Sequence, residues 1–156
     1  MATFQKFNCF VEDVAEKKHD LSADTLMVLL TNTAPNAADT IVDTSVTPCV
    51  VKSTSNAAEI AAGNGYTKKG NQAAQSSSAQ SGGLYKLVLA DPATWTATPA
   101  AMPTFRYAVL FNDTAGTAAA RLPIGWWDYG ASGVTLGISE TFTADMDPST
   151  GVLTLQ

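Results

Sequence analysis

The side chains of this chain that could do acid–base chemistry are few and far apart. His19 is the only histidine and lies in the charged segment of residues 17–22. A cluster of histidines around a metal ion is therefore excluded, and catalysis by histidine would depend on this one exposed-looking side chain. Nothing in the sequence supplies the strained turn that exposes a nucleophilic serine. The charged segment instead indicates a solvated stretch ahead of the first core strand.

The carboxylates give only a weak indication of a site. Residues 145–151 place oxygen ligands at alternate positions, as calcium loops do, but this segment lacks the distal glutamate of an EF-hand. A turn that starts at Asp147 and Pro148 accounts for the same residues. The remaining carboxylates could form a glycosidase-like pair only if the fold brought two of them together; they include Glu12, Asp13, Glu59, Asp91, Asp128 and Glu140. We predict no catalytic residue, no metal ion and no cofactor, and we expect that the protein is not an enzyme.

Trp126, Trp127 and Tyr129 form the densest aromatic cluster. Adjacent side chains of a strand point to opposite faces, so the two tryptophans lie on different faces of a sheet. Two interpretations stay open: both rings are covered within the domain, or one anchors a subunit interface, where Trp and Tyr are enriched. A sugar-stacking platform of Trp95, Trp127 and Tyr129 would use the same residue types.

A second aromatic cluster lies near the start of the chain. Its members are Phe4, Phe7 and Phe10. Residues 1–20 are either an arm that contacts a neighbouring subunit or the first strand of the domain's own core. Cys9 lies in this segment and is 40 residues from Cys49, without a CxxC or Cys/His spacing. Two buried thiols are the default expectation, and a disulfide is the alternative.

Short strands joined by turns are predicted to hold these residues. Phe105, Tyr107, Val109 and Phe111 alternate with other residues and predict one strand face. Further strands are predicted at residues 26–31, 84–90, 122–129, 141–146 and 152–155. Residues 56–63 predict one or two helical turns, and residues 71–83 are either a loop or a polar edge strand.

Composition also favours a β architecture. Charged residues make up 15% of the 156 residues, and Thr, which suits a pleated surface, occurs 20 times. The net charge of −5 argues against direct nucleic-acid binding. The longest apolar run, residues 26–30, is too short to span a bilayer, and we expect synthesis and folding in a cytoplasm. Residues 21–156 predict a single β-sandwich or barrel domain.

Several strand and turn segments together resemble structural proteins of tailed bacteriophages. These segments are residues 26–35, 60–66, 105–114, 127–130, 140–143 and 151–155. The resemblance covers roughly residues 20–156 and, given the size and β character of the chain, is closest in type to capsid decoration, or cement, proteins. Residues 40–55 form a longer segment than in those proteins.

The resemblance implies an all-β, antiparallel β-sandwich of jelly-roll type with at most one or two short helices. It also implies a homodimer or homotrimer that is made in the host bacterial cytoplasm and binds the major capsid protein on the outer surface of the virion capsid, with no membrane partner. A head-fibre, collar or tail component is the alternative. The interface candidates are Phe4, Phe7, Phe10, Trp126, Trp127 and Tyr129.

Overall fold

The computed structural model describes residues 2–156, and most of its ordered elements are strands. Within this range the elements run β1 (Phe4–Lys6), α1 (Cys9–Ala15), β2 (Leu26–Thr31), β3 (Ile41–Asp43), β4 (Val50–Lys52), β5 (Ala57–Ala58), β6 (Asn71–Gln72), β7 (Gln75–Ser81), β8 (Leu84–Leu89), β9 (Trp95–Thr96), β10 (Met102–Phe105), β11 (Tyr107–Thr117), β12 (Ala120–Asp128), β13 (Val134–Leu136), β14 (Thr141–Phe142) and β15 (Leu153–Leu155). None of the helices described is long and apolar enough to cross a bilayer.

The largest sheet has eight strands, and β12 is central to it. The strand order is β5-β4-β3-β12-β11-β2-β6, and β1 also pairs with β12. One edge of β12 is covered by β11, while the other is shared by β3, which pairs at Arg121, and by β1, which pairs at residues 125–127. Every strand pair in the described residues is antiparallel.

One face of the large sheet packs against three small sheets, β15-β8-β7, β14-β9 and β10-β13. From the large sheet, β2, β11 and β12 contribute Leu30, Leu110 and Trp127 to the shared core, and the small sheets contribute Leu87 and Trp95 among others. Burial of apolar area between layers is the main stabilising contribution in such a sandwich.

The other face carries a second core, because the sheet curls and brings β3, β4 and β5 over it. Here Val109 and Trp126 pack with Val42 and Val51, and Phe7 covers them from the segment after β1. Strands buried on both faces read as continuous apolar runs, which explains the run in β2.

These layers confirm the predicted all-β antiparallel sandwich with one short helix. The jelly-roll topology is a finer prediction that the strand order does not establish. At the start of the chain the first-strand alternative is the observed one, because β1 joins the domain's own sheet. Residues 71–83 likewise contain an edge strand, β7, rather than a loop.

The predicted helical turns at residues 56–63 are wrong. Asn56 has a φ of 51°, and Ala57 and Ala58 pair with β4 as β5. Strand pairing here overrides the local preference of an alanine-rich segment. The observed helix, α1, instead buries Phe10 and Asp13 at i, i+3 spacing.

The strand predicted through residues 105–111 is interrupted. Phe105 ends β10 and lies in the core between the sheets, whereas Tyr107, Val109 and Phe111 of β11 lie in the second core. Phe105 therefore does not share a face with the other three. The strands predicted at residues 105–111 and 122–129 pair as β11 and β12, and β11 continues to Thr117.

Candidate functional site

A cavity of about 230 Å³ lies beside the paired ends of β1 and β12. Three of the six predicted interface residues, Phe4, Trp127 and Tyr129, come together in its wall. The rest of the lining comes from Ala2 and from the segment before β15, namely Thr143, Asp145, Met146, Asp147, Thr150, Gly151 and Val152. In this cavity, distant parts of the chain contribute aromatic and acidic groups together.

Strand pairing fixes the first two rings. Phe4 and Trp127 are directly opposite each other in the β1–β12 ladder, so their side chains share a face. Their ring centroids are 4.8 Å apart at an interplanar angle of 52°. Gly125 makes this possible, because a Cβ there would lie 2.3 Å from Phe4 Cζ and 2.5 Å from the Gln5 carbonyl oxygen.

Tyr129 follows the end of β12 and is held from two sides. Its backbone N–H donates to the carbonyl of Arg106 at 2.9 Å. Its ring is nearly perpendicular to that of Phe142, with centroids 5.0 Å apart and an interplanar angle of 82°. Burial, and then the nearby charges of Asp145 and Asp91, raise the pKa of Tyr129 to about 12. The phenol therefore stays protonated near neutral pH, and carboxylates lie close to it.

The acidic side of the cavity is a tight turn. Both carboxylate oxygens of Asp147 accept hydrogen bonds from the hydroxyl and backbone N–H groups of Ser149 and Thr150, at 2.6–3.2 Å. The Ser149 and Thr150 hydroxyls, and then their N–H groups, lower the pKa of Asp147 well below its usual range. This is the turn interpretation of the sequence, and the carboxylate acts as its acceptor.

Asp145 is the second aspartate in the cavity lining, and unlike Asp147 it is not held within the turn. It is exposed and takes part in none of the ion pairs within residues 2–156. The loop around it is anchored because the N–H of Met146 donates to Asp91 Oδ1 at 2.7 Å. No group of three or more His, Cys, Asp or Glu side chains in the described chain is arranged to hold a metal ion.

The other three interface candidates lie inside the monomer. Phe7 and Trp126 pack together in the second core, with ring centroids 4.6 Å apart, and Phe10 is buried against the core between the sheets. Trp126 and Trp127 are 5% and 7% exposed, so both tryptophans are covered by the chain itself. Of the six candidates only Phe4 and Tyr129 keep appreciable exposed surface.

Two other sequence interpretations change in the structure. His19 is half-buried rather than fully solvated, its Nδ1 lies 3.0 Å from Asn112 Nδ2, and burial lowers its pKa. Trp95 is 1% exposed and stacks on Phe142, so it is unable to form a sugar platform.

The cysteines are free thiols: Cys49 is buried, whereas Cys9 is half-buried.

A buried polar network was not indicated by any spacing in the sequence. Glu59 is buried and accepts from the N–H of Cys49 at 2.8 Å, from the Tyr66 hydroxyl at 2.9 Å and from the N–H of Lys69 at 2.9 Å. The Tyr66 hydroxyl in turn accepts from the N–H of Leu30 at 3.2 Å. Because each polar group in this network has a partner, the network stabilises the turns between β4 and β6.

Strand β7 offers a second surface. It pairs with β8 on one side only, and its seven residues carry no charge and no proline. Such an edge leaves backbone donors and acceptors available to another chain.

The cavity wall contains aromatic rings, hydroxyls and carboxylates, and its lining includes no His, Cys, Lys or Arg. Comparison with protein-family models, with curated proteins and with solved structures found no match for this chain.

Proposed function

We propose that the chain is a structural virion protein that decorates a tailed-bacteriophage capsid and stabilises it by bridging major capsid protein subunits. The observation that carries this proposal is where the resembling segments lie in the fold. Residues 26–31 and 107–114 lie in two central strands of the large sheet, while residues 127–130 and 151–155 contribute to the cavity. The resemblance therefore covers both the framework and the candidate contact site.

The physical requirements of such a role are modest. A decoration protein contacts subunits that already touch, so many copies act together and each needs only a small, well-packed contact. The cavity with Phe4 and Tyr129 offers partly exposed aromatic surface, and the uncharged edge of β7 offers backbone hydrogen bonds. Contact along β7 buries no charged side chain, because that strand has none.

The test uses purified protein and capsids that lack it. We expect the protein to bind the heads and to raise the temperature or salt concentration at which they disrupt. Tyr129→Ala, at the cavity, should weaken this effect, whereas Ile138→Ala, at an exposed side chain outside both the cavity and β7, should not. Absence of binding to the shell would remove the proposal.

The position on the particle separates decoration from its alternative. Hundreds of copies per head in an electron microscopy reconstruction would support decoration, whereas a handful at a vertex or along the tail would support a head-fibre, collar or tail component. The proposed dimer or trimer predicts a solution mass of two or three times 16.3 kDa by light scattering. The jelly-roll topology belongs to the same proposal and is tested by an experimental structure of the decorated shell.

A further inference from the structure

The charge of the cavity between Phe4, Tyr129 and the Asp147 turn selects the kind of ligand it can accept. Its lining contains two aspartates and no basic residue, and the chain as a whole carries a net charge of −5. Asp147 already accepts four hydrogen bonds within its turn, but Asp145 has no ion-pair partner among residues 2–156. An anion would be repelled here, whereas a cation would gain a carboxylate partner.

The aromatic wall favours a cation as well. Phe4, Trp127 and Tyr129 line the cavity, and Phe4 and Tyr129 are partly exposed. The π face of an aromatic ring carries partial negative charge and attracts a cation most strongly when that cation is partly desolvated. The aromatic rings and the Asp145 carboxylate therefore both attract a cation. A volume of about 230 Å³ is below the roughly 300–1,000 Å³ of sites for drug-sized ligands, so the head group of one side chain fits better than a larger molecule.

We propose that this cavity binds the guanidinium group of an arginine side chain presented by a partner protein. A guanidinium is planar, so it can stack on a ring while its N–H edge pairs with a carboxylate such as that of Asp145. The ammonium of lysine has no planar face and makes the same two contacts less well. This inference rests on the proposed function, because it names the chemistry by which the same surface contacts its protein partner.

A metal ion is a poorer occupant of the same space. The described residues hold no cluster of three ligating side chains, and the oxygens of Asp147 point into their own turn. An organic cation requires only one carboxylate together with the aromatic wall. The arrangement of Asp145 therefore fits a guanidinium better than it fits calcium.

The test is a titration of the isotope-labelled full chain, followed by nuclear magnetic resonance, with three amino-acid amides. N-acetyl-arginine amide should give saturable shifts at the Trp127 indole and at residues 143–152. N-acetyl-citrulline amide, which has nearly the same shape but no charge, should bind at least roughly 10-fold more weakly. N-acetyl-lysine amide should also bind more weakly than the arginine probe.

Variants at the cavity show which side chains contribute to arginine binding. Asp145→Asn should weaken arginine binding by roughly 3- to 10-fold, and Tyr129→Leu by roughly 3-fold. Glu12→Gln is the matched control, since Glu12 is exposed on α1 outside the cavity and the substitution removes the same charge. Its affinity should equal that of the parent protein.

Several results would overturn the inference: shifts that do not saturate, equal binding of citrulline or lysine, or an equal loss of affinity in Asp145→Asn and Glu12→Gln. Because these measurements use the isolated chain, their failure leaves shell binding to be judged by the capsid experiment. Conversely, if the chain binds arginine specifically but does not bind capsids, its partner is a different protein that presents an arginine.

Discussion

Gly125 offers the sharpest test of how the cavity is built. In Gly125→Ala the new methyl group would lie 2.3 Å from Phe4 Cζ, 2.5 Å from Phe4 Cε2 and 2.5 Å from the Gln5 carbonyl oxygen. Contacts this short do not persist, so the Phe4 ring must leave or β1 must separate from β12. Forcing an extra methyl group into a packed site costs about 1–3 kcal/mol. The reduced entropy of the unfolded chain offsets about 0.4–1 kcal/mol of this.

Gly137→Ala is the matched control. A Cβ at Gly137 would meet only the Glu140 side chain, at 3.4 Å or more, and its backbone does not adopt a positive φ. Its free energy of unfolding should equal or slightly exceed that of the parent protein. Urea unfolding followed by tryptophan fluorescence should show Gly125→Ala with a midpoint lower than the control's by on the order of 1 M.

A double-mutant cycle with Phe4→Ala identifies the cause. Two of the three short contacts involve the Phe4 ring, so truncating it should relieve part of the strain. We expect the double variant to be more stable than the sum of the single effects predicts, with a coupling of about 0.5–3 kcal/mol. Equal stability of Gly125→Ala and Gly137→Ala would refute the packing argument. Strictly additive effects of Gly125→Ala and Phe4→Ala would refute it as well.

Further predictions concern the buried and titratable groups. Glu59→Gln leaves at least one buried N–H or O–H donor without its acceptor. Urea unfolding should show that this lowers the free energy of unfolding by about 1–3 kcal/mol. The control Glu12→Gln should lower it by about 0.5 kcal/mol or less. Hydrogen bonds from Lys52 and Ser45 lower the pKa of Asp43 in the folded protein from 3.8 to about 2. Ionised Asp43 therefore stabilises the fold at pH values above 3.8, and this stabilisation is lost as the pH falls through about 2. The stability difference between parent and Asp43→Asn should therefore shrink over that range; a constant difference would contradict it. Burial raises the pKa of Cys9 to about 11 and of Cys49 to about 12, so both thiols should react slowly with iodoacetamide at pH 8 until urea unfolds the chain, and finding fewer than two thiols would indicate a disulfide.

The long apolar strands were predictable from the sequence, and the short ones were not. β2 is an almost continuous apolar run, and β8 is mostly apolar and follows Gly82 and Gly83, so pattern and turn residues together indicate strands. β5 has two residues, and only its pairing with β4 makes it a strand. Helix α1 carries a weak i, i+3 signal at Phe10 and Asp13, which is hard to recognise because the second position is a carboxylate.

The candidate site was predictable only in part. The period of a strand correctly places Trp126 and Trp127 on opposite faces. The partner of each ring depends on contacts between distant segments, since Phe4 reaches Trp127 only through the β1–β12 ladder. The sequence drew attention to Asp145 and Asp147 as candidate calcium ligands, yet only the fold places them beside the aromatic rings.

The pairing of β1 with β12 has a consequence for biosynthesis. Phe4 and Trp127 are more than 120 residues apart in the chain, so at about 5–20 residues per second the first partner leaves the ribosome at least roughly 6 s before the second. During that interval Phe4 has no ladder to join, while β11 and β12 can form their hairpin as soon as both are made. The aromatic wall is therefore completed only after most of the polypeptide has been translated.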